Sequence, residues 1–425
     1  MADRVEALDA ALRAREGELV ALTQALIRIP TVNPPGENYR DACEVLAARL
    51  RPQGFDCALL RAEGAPGDSD RHPRWNLVAR RAGARPGPCV HFNGHIDVVE
   101  AGLGWTHDPF GGALVEGRIY GRGACDMKGG IAAAVVAVEA FLALWPDAPG
   151  SIEISATGDE ESGGYGGVAW LAERGHFVHV DAVIIPEPLD KDRICLGHRG
   201  VWWAELETFG RIAHGSMPFL GDCAVRHMGA VLAEMEESLF PALAARRTAM
   251  PVVPEGARAS TLNVNSLHGG QAEPEAGFTG WPSPVVPDRC RMVIDRRFPA
   301  EETLAGVRAE FRATVERARA ARGFDYALRD LHEVHPSMTD REAPVARALD
   351  AAIRARLGRA PAYVASPGTY DQKHIDRIGR VRNCVAYGPG ILDLAHQPDE
   401  YVAVEDMLDA AVVMGLALGA LLGVS

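Results

Sequence analysis

The chain has almost no lysine: Lys128, Lys191 and Lys373 are the only three in its 425 residues. Arginine supplies the rest of the positive charge, the net charge is −13, and no basic run occurs. This argues against nucleic acid and against anionic membranes as partners. The arginine bias reads as genome composition. The eight cysteines are scattered, with no C-x-x-C pair and no disulfide-like spacing. The opening "MADRVEALDAALRAREGELVALTQAL" lacks the apolar centre of a signal peptide. Both absences fit a reducing cytoplasm. The C-terminal "AAVVMGLALGALLGVS" is apolar but shorter than the ~20 residues of a bilayer span. It reads as a buried last helix. No internal repeat or low-complexity segment is found.

Several catalytic signatures are also missing. No G-x-x-x-x-G-K-[ST] loop occurs, and "GRGACD" lacks the third glycine and the spaced acid of a dinucleotide fingerprint. No G-x-S-x-G occurs, so a serine triad has no candidate nucleophile. Cys125 has no dedicated base near it in sequence, which leaves a packed small residue as the alternative to a nucleophile.

What is present is an ordinary globular balance, 47% hydrophobic and 24% charged. The length exceeds what one core usually serves. Apolar spacing predicts helices over residues 5–29 and about 38–52. "NLVARRAG", "PCVHFNGHIDVV", "GSIEISATGDEESGG" and "DAVIIPEP" read as strands, and "GGIAAAVVAVEAFLAL" as a helix after a Gly-rich loop. This alternation predicts an α/β fold, a mixed sheet covered by helices. After "ICLGHRG" the pattern changes. "VWWAELETFG", "STLNVNSLHGG" and "CRMVIDRRF" alternate as antiparallel strands, with helices about 222–239 and 301–320. We expect a smaller inserted α+β domain over 199–330. The first domain would then comprise 1–198 and 331–425, ending in a helix from about Val404.

The polar residues at the predicted strand ends form a pattern. "HFNGHIDVV" puts His95 and Asp97 on the same side of an extended strand. "GRGACDMKGG" places Asp126 in a glycine-rich turn, and "ATGDEESGG" sets Asp159, Glu160 and Glu161 side by side. "IIPEP" ends a strand with Glu187, and "GILDLAHQPDEYV" offers His396 before the last helix. Each has a plain alternative. His91 and His95 could be satisfied core histidines. Asp126 could cap a helix. Glu187 could be a solvated turn residue, and the acidic run could complement a helix dipole. Together, at sheet ends where ligands gather, they point to a pair of divalent metals offsetting the crowded carboxylates.

In this order, "GHIDVV", "W..DPFGG", "GRGACDMKGG", "GDEESGG", "PEP", "AHGSMP", "VPDRC…DRRF" and "YGPG…AHQPDEYV" run through nearly the whole chain. The chain resembles the M20-type zinc metallopeptidase/amidohydrolase family. That family includes acetylornithine deacetylase, succinyl-diaminopimelate desuccinylase, aminoacylase and glutamate carboxypeptidase. The resemblance implies two zinc ions, with cobalt or manganese possible. It assigns His95 and Glu187 to one metal and Glu161 and His396 to the other, with Asp126 bridging and followed by a cis peptide bond. Asp97 would orient His95, and Glu160 would be the general base toward a water bridging the metals. His214 in "AHGSMP" would stabilise the oxyanion from the partner subunit of a homodimer formed through the inserted domain, which would also act as a lid. Arg297 would hold a substrate carboxylate, with Arg296 as the competing salt-bridge residue. Asn263, Arg199, Gly368 and Thr369 would line the substrate. Two departures from the family pattern fall in the expected substrate shell: Ser283 and Pro284 in "PSPVVPD", and Lys373 or His374 in "GTYDQKH".

The function implied is hydrolysis of an amide bond in a small carboxylate-bearing N-acyl amino acid or related N-acyl amine. A dipeptidase or carboxypeptidase would use the same centre. A non-catalytic binding protein on this fold would be expected to lack Glu160 or a ligand, and none is missing.

Overall fold

The computed structural model describes residues 2–270, 280–281 and 284–424. Ser283 of the "PSPVVPD" departure therefore lies outside the described residues. The chain divides into two compact units. The first takes the residues up to Gly197, Thr339–Val364 and those from Tyr370 onward; the second takes His198–Met338 and Ala365–Thr369.

The first unit opens with helices α1 (Ala2–Arg13), α2 (Glu16–Ile27) and α3 (Tyr39–Leu50). The single helix predicted over 5–29 is thus two. Arg15, at φ −106° and ψ 9°, leaves the helical region, and each half buries its own leucines. Strands β1 (Asp56–Arg61), β2 (Trp75–Ala82) and β3 (Cys89–His95) follow, then a small hairpin, β4 (Ala113–Val115) and β5 (Arg118–Tyr120). Next come α4 (Gly129–Leu144), β6 (Ser151–Thr157), α5 (Val168–Glu173), β7 (Ala182–Pro188) and β8 (Arg193–His198).

The second unit contributes β9 (Gly200–Phe209), α6 (Ala224–Glu234), α7 (Phe240–Ala244), β10 (Thr261–Gly269), β11 (Arg289–Phe298), α8 (Leu304–Arg322) and β12 (Tyr326–Val334). After β13 (Ser337–Met338), the chain adds α9 (Pro344–Leu357), β14 (Ala362–Ser366), α10 (Gln372–Arg377), β15 (Cys384–Gly388), β16 (Tyr401–Ala403) and α11 (Val404–Leu421).

The main sheet runs β1-β2-β6-β3-β7-β15-β8. Its centre, β6, β3, β7 and β15, is parallel, and β2 and β8 flank it antiparallel. It is the expected mixed sheet, with helices packed on it. Every residue of β3, β6, β7 and β15 is buried. That is why these segments read as continuous apolar runs. Parallel pairing also brings the carboxyl ends of β3, β6, β7 and β15 to one edge. The apolar stretch Ala124–Leu144 is long enough to cross a membrane, but 89% of its apolar window is buried inside the fold. The last helix is buried along most of its length.

The second unit is built on the antiparallel sheet β10-β11-β9-β12. Alternate residues of β9 and β11, among them Trp202, Leu206, Met292 and Ile294, face a core completed by Val231 and Met235 near α6 and by Phe311 and Val315 of α8. The opposite sheet face is partly exposed, as period-two patterning requires.

Candidate metal centre

His95 is the last residue of β3 and pairs with Thr157, the last of β6. The loop after β6 therefore starts beside His95. Glu187 is the penultimate residue of β7, the neighbouring parallel strand. Its backbone is tightly packed. A Cβ on Gly130 of α4 would stand 1.9 Å from the Pro186 carbonyl oxygen. Only glycine lets α4 come this close to the strand that carries Glu187.

Asp126 stands between two groups. Its Oδ1 is 3.0 Å from His95 Nε2, and that nitrogen is 3.8 Å from Glu187 Oε1. Its Oδ2 is 3.5 Å from His396 Nε2, which is 3.2 Å from Glu161 Oε1. Donor atoms of His95, Asp126 and Glu161 lie within 4.8 Å of one another. The Asp126–Met127 peptide bond is cis, as the resemblance implied. The backbone N–H groups of Cys125 and Asp126 donate to Glu400 Oε1 at 2.9 and 3.0 Å, and Arg122 Nη1 donates to Glu400 Oε2 at 2.6 Å. This buried ion pair fixes the backbone at Cys125 and Asp126. Cys125 is buried with its thiol on the Ile391 carbonyl, and burial pushes that thiol well above its ordinary range. It is a packed residue.

The electrostatics show what the cluster demands. Burial, then the Asp126 charge, pushes the Glu187 carboxyl well up. Burial raises Glu161 to about 7. Burial alone would lower His95, but its hydrogen bond to Asp126 and the nearby carboxylates of Asp97 and Glu187 outweigh that and raise it well above its usual range. His396 is raised to about 10 by Asp126 and Glu161. The raised groups retain protons that offset the charge of Asp126, whose own carboxyl, despite burial, is held below its ordinary range by His396 and His95. Bound cations serve the same need, and metal uptake would release those protons. Imidazoles and carboxylates paired on either side of a shared Asp fit a divalent pair.

The three adjacent carboxylates do not share one counter-charge. Asp159 accepts from Arg74 Nε at 2.9 Å and from the Tyr39 hydroxyl at 2.9 Å. Glu160 Oε1 accepts from Lys373 Nζ at 2.7 Å. Glu161 faces His396. Asp159 sits at φ 65°, which turns successive side chains in different directions. Only Glu161 of the three joins the ligand cluster.

Asp97 also differs from expectation. Its carboxylate is 3.6 Å from His95 Nδ1, too far for a good hydrogen bond, and its backbone carbonyl makes that contact at 3.0 Å. The fully buried carboxylate instead accepts from the backbone N–H groups of Glu160 and Glu161, both at 3.1 Å, and from Asn33 Nδ2 at 2.8 Å. It holds the loop that presents both glutamates.

Lys373 and His374 of "GTYDQKH" stand beside the loop that follows β6. Lys373 is buried against Glu160, and His374 Nε2 lies 2.7 Å from the Gly163 carbonyl. Burial alone would lower the Lys373 ammonium, but Glu160 and Asp371 raise it, so it stays cationic. His91 is the satisfied core histidine, held by Glu153 and Ser155.

The second unit carries the other predicted residues. Thr261 pairs with Arg297 and Asn263 with Asp295 across β10 and β11. Asp295 takes one edge of the Arg297 guanidinium, with Nε at 2.7 Å and Nη2 at 2.9 Å. Arg296 is buried on Glu302 at 2.7 Å, the salt-bridge role foreseen for it. Asn263 donates to Asn265 at 2.8 Å. Arg199 is also buried, and its guanidinium is spent on the carbonyls of Pro367, Ala257 and Ala259. It positions the segment bearing Gly368 and Thr369, and its donors are already engaged. Burial and the Arg297 charge lower it to about 10, so these cations feel one another. His214 is exposed, and its Nδ1 accepts from the Ser216 N–H at 3.1 Å. This leaves the ring proton on Nε2, as a donor.

Arg74, Arg122 and Glu400 are the supporting residues that sequence reasoning did not assign. Arg122 and Glu400 fall within quoted motifs, which was the available signal.

The sequence profile of peptidase family M20/M25/M40 matches residues 91–419. A relative from Methylobacterium radiotolerans, named succinyl-diaminopimelate desuccinylase, is 33% identical over 425 residues and is aligned over 97% of both chains. Among solved structures, human carnosine dipeptidase 1 matches with a TM-score of 0.76 at 20% identity, over 99% of both chains. Bacillus subtilis YXEP, described as a dinuclear metal binding peptidase, matches with a TM-score of 0.66 at 16% identity, over 96% of this chain and 99% of that one. At these identities the two structures speak for the fold.

Proposed function

Because the chain belongs to peptidase family M20/M25/M40, and with it to the hydrolases of amide bonds, we propose that it cleaves a small carboxylate-bearing N-acyl amino acid or related N-acyl amine in the cytoplasm. The observation that carries the reading is Asp126 set between His95 with Glu187 and His396 with Glu161, with Glu160 alongside. His95, Glu187 and Asp126 would hold one divalent metal, and Asp126, Glu161 and His396 the other. Zinc is the first choice, with cobalt and manganese as alternatives. Bound there, the metals supply Lewis acidity toward water and the amide carbonyl.

Glu160 is the general base. Lys373 occupies Oε1, so Oε2 is the oxygen that takes the proton from the attacking water and returns it to the leaving amine. Asp97 fixes the loop so that Glu160 and Glu161 stay in register. His214 Nε2 donates to the developing oxyanion. It comes from the second copy of a homodimer assembled through the inserted domain. Support for this is the exposed apolar run around it: Ile212, Met217, Phe219 and Leu220. Arg297 offers its remaining edge to a substrate carboxylate, in a field made positive by Arg199 and Arg296. Asn263, Gly368 and Thr369 would line that subsite. The inserted unit would act as the lid.

The test is a hydrolysis screen of the zinc-loaded chain, with Glu160→Ala as control. It would set N-acetyl, N-succinyl, N-formyl and N-carbamoyl amino acids, including N-succinyl-diaminopimelate, against simple dipeptides. Turnover confined to N-acyl compounds and absent from the control is expected. Preference for dipeptides would move the chain to the exopeptidases, and full activity in the control would overturn the role of Glu160.

A further inference from the structure

The described residues hold another grouping that meets the same donor geometry as the proposed catalytic centre. Cys89 Sγ, a Glu153 carboxylate oxygen and a His179 imidazole nitrogen lie within 4.8 Å of one another. Zinc bonds of about 2.0–2.3 Å place tetrahedral donors roughly 3.3–3.8 Å apart, so donors no more than 4.8 Å apart need only small side-chain adjustments to close on one ion.

The grouping stands at the opposite edge of the sheet. Cys89 opens β3, and Glu153 lies near the start of β6; the two strands pair in parallel with Cys89 beside Ser151 and His91 beside Glu153. His179 comes from the turn between α5 and β7. His95 ends β3, about 20 Å further along the strand. The catalytic carboxylates have no part in this site.

Its carboxylate is pre-set. His91 Nδ1 lies 3.1 Å from Glu153 Oε2, and His91 is itself locked by Ser155 Oγ at 2.7 Å from Nε2. That leaves Oε1, which is 2.6 Å from His179 Nε2. An imidazole faces a carboxylate here as His95 faces Asp126 in the catalytic cluster. Cys89 is held by its own N–H, donated to Asp181 Oδ2 at 2.8 Å. Arg80 Nε also approaches Oε1 at 3.4 Å, but its side chain is 52% exposed and can turn to solvent. Cys89 and Glu153 are buried, whereas the His179 side chain is 37% exposed, which gives an ion a way in.

From this we propose that Cys89, Glu153 and His179 form a separate, non-catalytic divalent-metal site of the zinc class. It pins the start of β3 to β6 and to the turn before β7. Thiolate, imidazole and carboxylate with one position left for water suit zinc or cobalt(II), and disfavour magnesium and calcium. Binding releases the Cys89 thiol proton, and any proton between His179 and Glu153, to solvent.

The thiolate makes the site distinguishable from the catalytic one, whose proposed ligands are all nitrogen and oxygen. The full chain is titrated with cobalt(II) and followed in the near ultraviolet, where only a thiolate-to-cobalt band appears. The band is expected in the wild type, absent in Cys89→Ser, and to need at least tenfold more cobalt in His179→Ala, a change at an exposed side chain. Metal content should fall by one equivalent in Cys89→Ser while amide hydrolysis persists. No band at saturating cobalt would overturn the proposal. So would a band that survives Cys89→Ser, which would assign it to another thiol such as Cys125.

Discussion

Replacing Glu160 by Gln tests two things at once, because the same carboxylate is the proposed base and one half of a buried ion pair. Glu160 and Lys373 are 10% and 2% exposed, with Oε1 and Nζ 2.7 Å apart. At an effective dielectric of about 20, their gross attraction is about 6 kcal/mol, most of it offset by the desolvation of both charges. Removing one partner leaves the other buried without compensation, which costs about 3–5 kcal/mol. Glu160→Gln should therefore lower the stability of the first unit by about 3 kcal/mol and lower kcat by about 10²–10⁴-fold. Lys373→Met should destabilise by a similar amount. The double variant, which buries neither charge, should regain at least half of that loss while staying inactive. Lys373→Arg keeps the cation and should keep most of the stability, but its fork, able to engage both carboxylate oxygens, should lower kcat. The assay is a double-mutant cycle. Thermal unfolding gives the stability arm, and hydrolysis of the substrate found in the screen gives the activity arm. A Glu160→Gln variant within a few-fold of wild type would refute the base assignment. A double variant no more stable than either single one would refute the reading of the ion pair.

Gly130→Ala should displace Pro186 and with it Glu187, costing about 1–3 kcal/mol in overpacking. Metal analysis by dialysis should show an affinity lowered about tenfold or more at the His95–Glu187 side. Arg74→Met strips the cation from a buried carboxylate, both side chains being nearly inaccessible. Unfolding should show a loss of about 3–5 kcal/mol, largely restored by adding Asp159→Asn. For the dimer, chains carrying Glu160→Gln and chains carrying His214→Ala should each be inactive as homodimers. Co-expressed heterodimers combine one doubly damaged site with one intact site, so they should recover about half the wild-type rate per dimer. No recovery would place His214 in its own chain's site or remove it from the chemistry.

The sheet and its ligand edge were legible because chemistry restricts them. A metal pair needs imidazoles and carboxylates, and a parallel sheet places them after apolar runs that stand out from a charged surrounding. What was hidden lies in pairings that sequence spacing does not carry. Lys373 meets Glu160 across 213 residues, and Arg122 meets Glu400 across 278. Arg74 finds Asp159 across 85. Each of these residues, read alone, is an ordinary surface charge. β12 was missed for a related reason. As an edge strand it is mostly exposed, so "YALRDLHEV" carries charges where a central strand carries valine.

The acidic run shows why local crowding is a poor guide to what neutralises it. Read in a line, three carboxylates seem to need one concentrated charge. In the fold, the left-handed Asp159 sends them to an arginine, a lysine and a histidine from separate parts of the chain. This division has a chemical consequence. If all three served as ligands, none would remain to accept a proton. Arg74 fixes Asp159 away from the His95–Asp126–Glu161 cluster and Lys373 holds Glu160 just beside it, so that in the proposed mechanism Glu161 would bind a metal while its neighbour stays available as base. A lysine at position 373 is therefore understandable in a chain with only three. An ammonium offers a compact charge that neutralises one carboxylate oxygen and leaves the other open, where the flat fork of arginine would tend to take both.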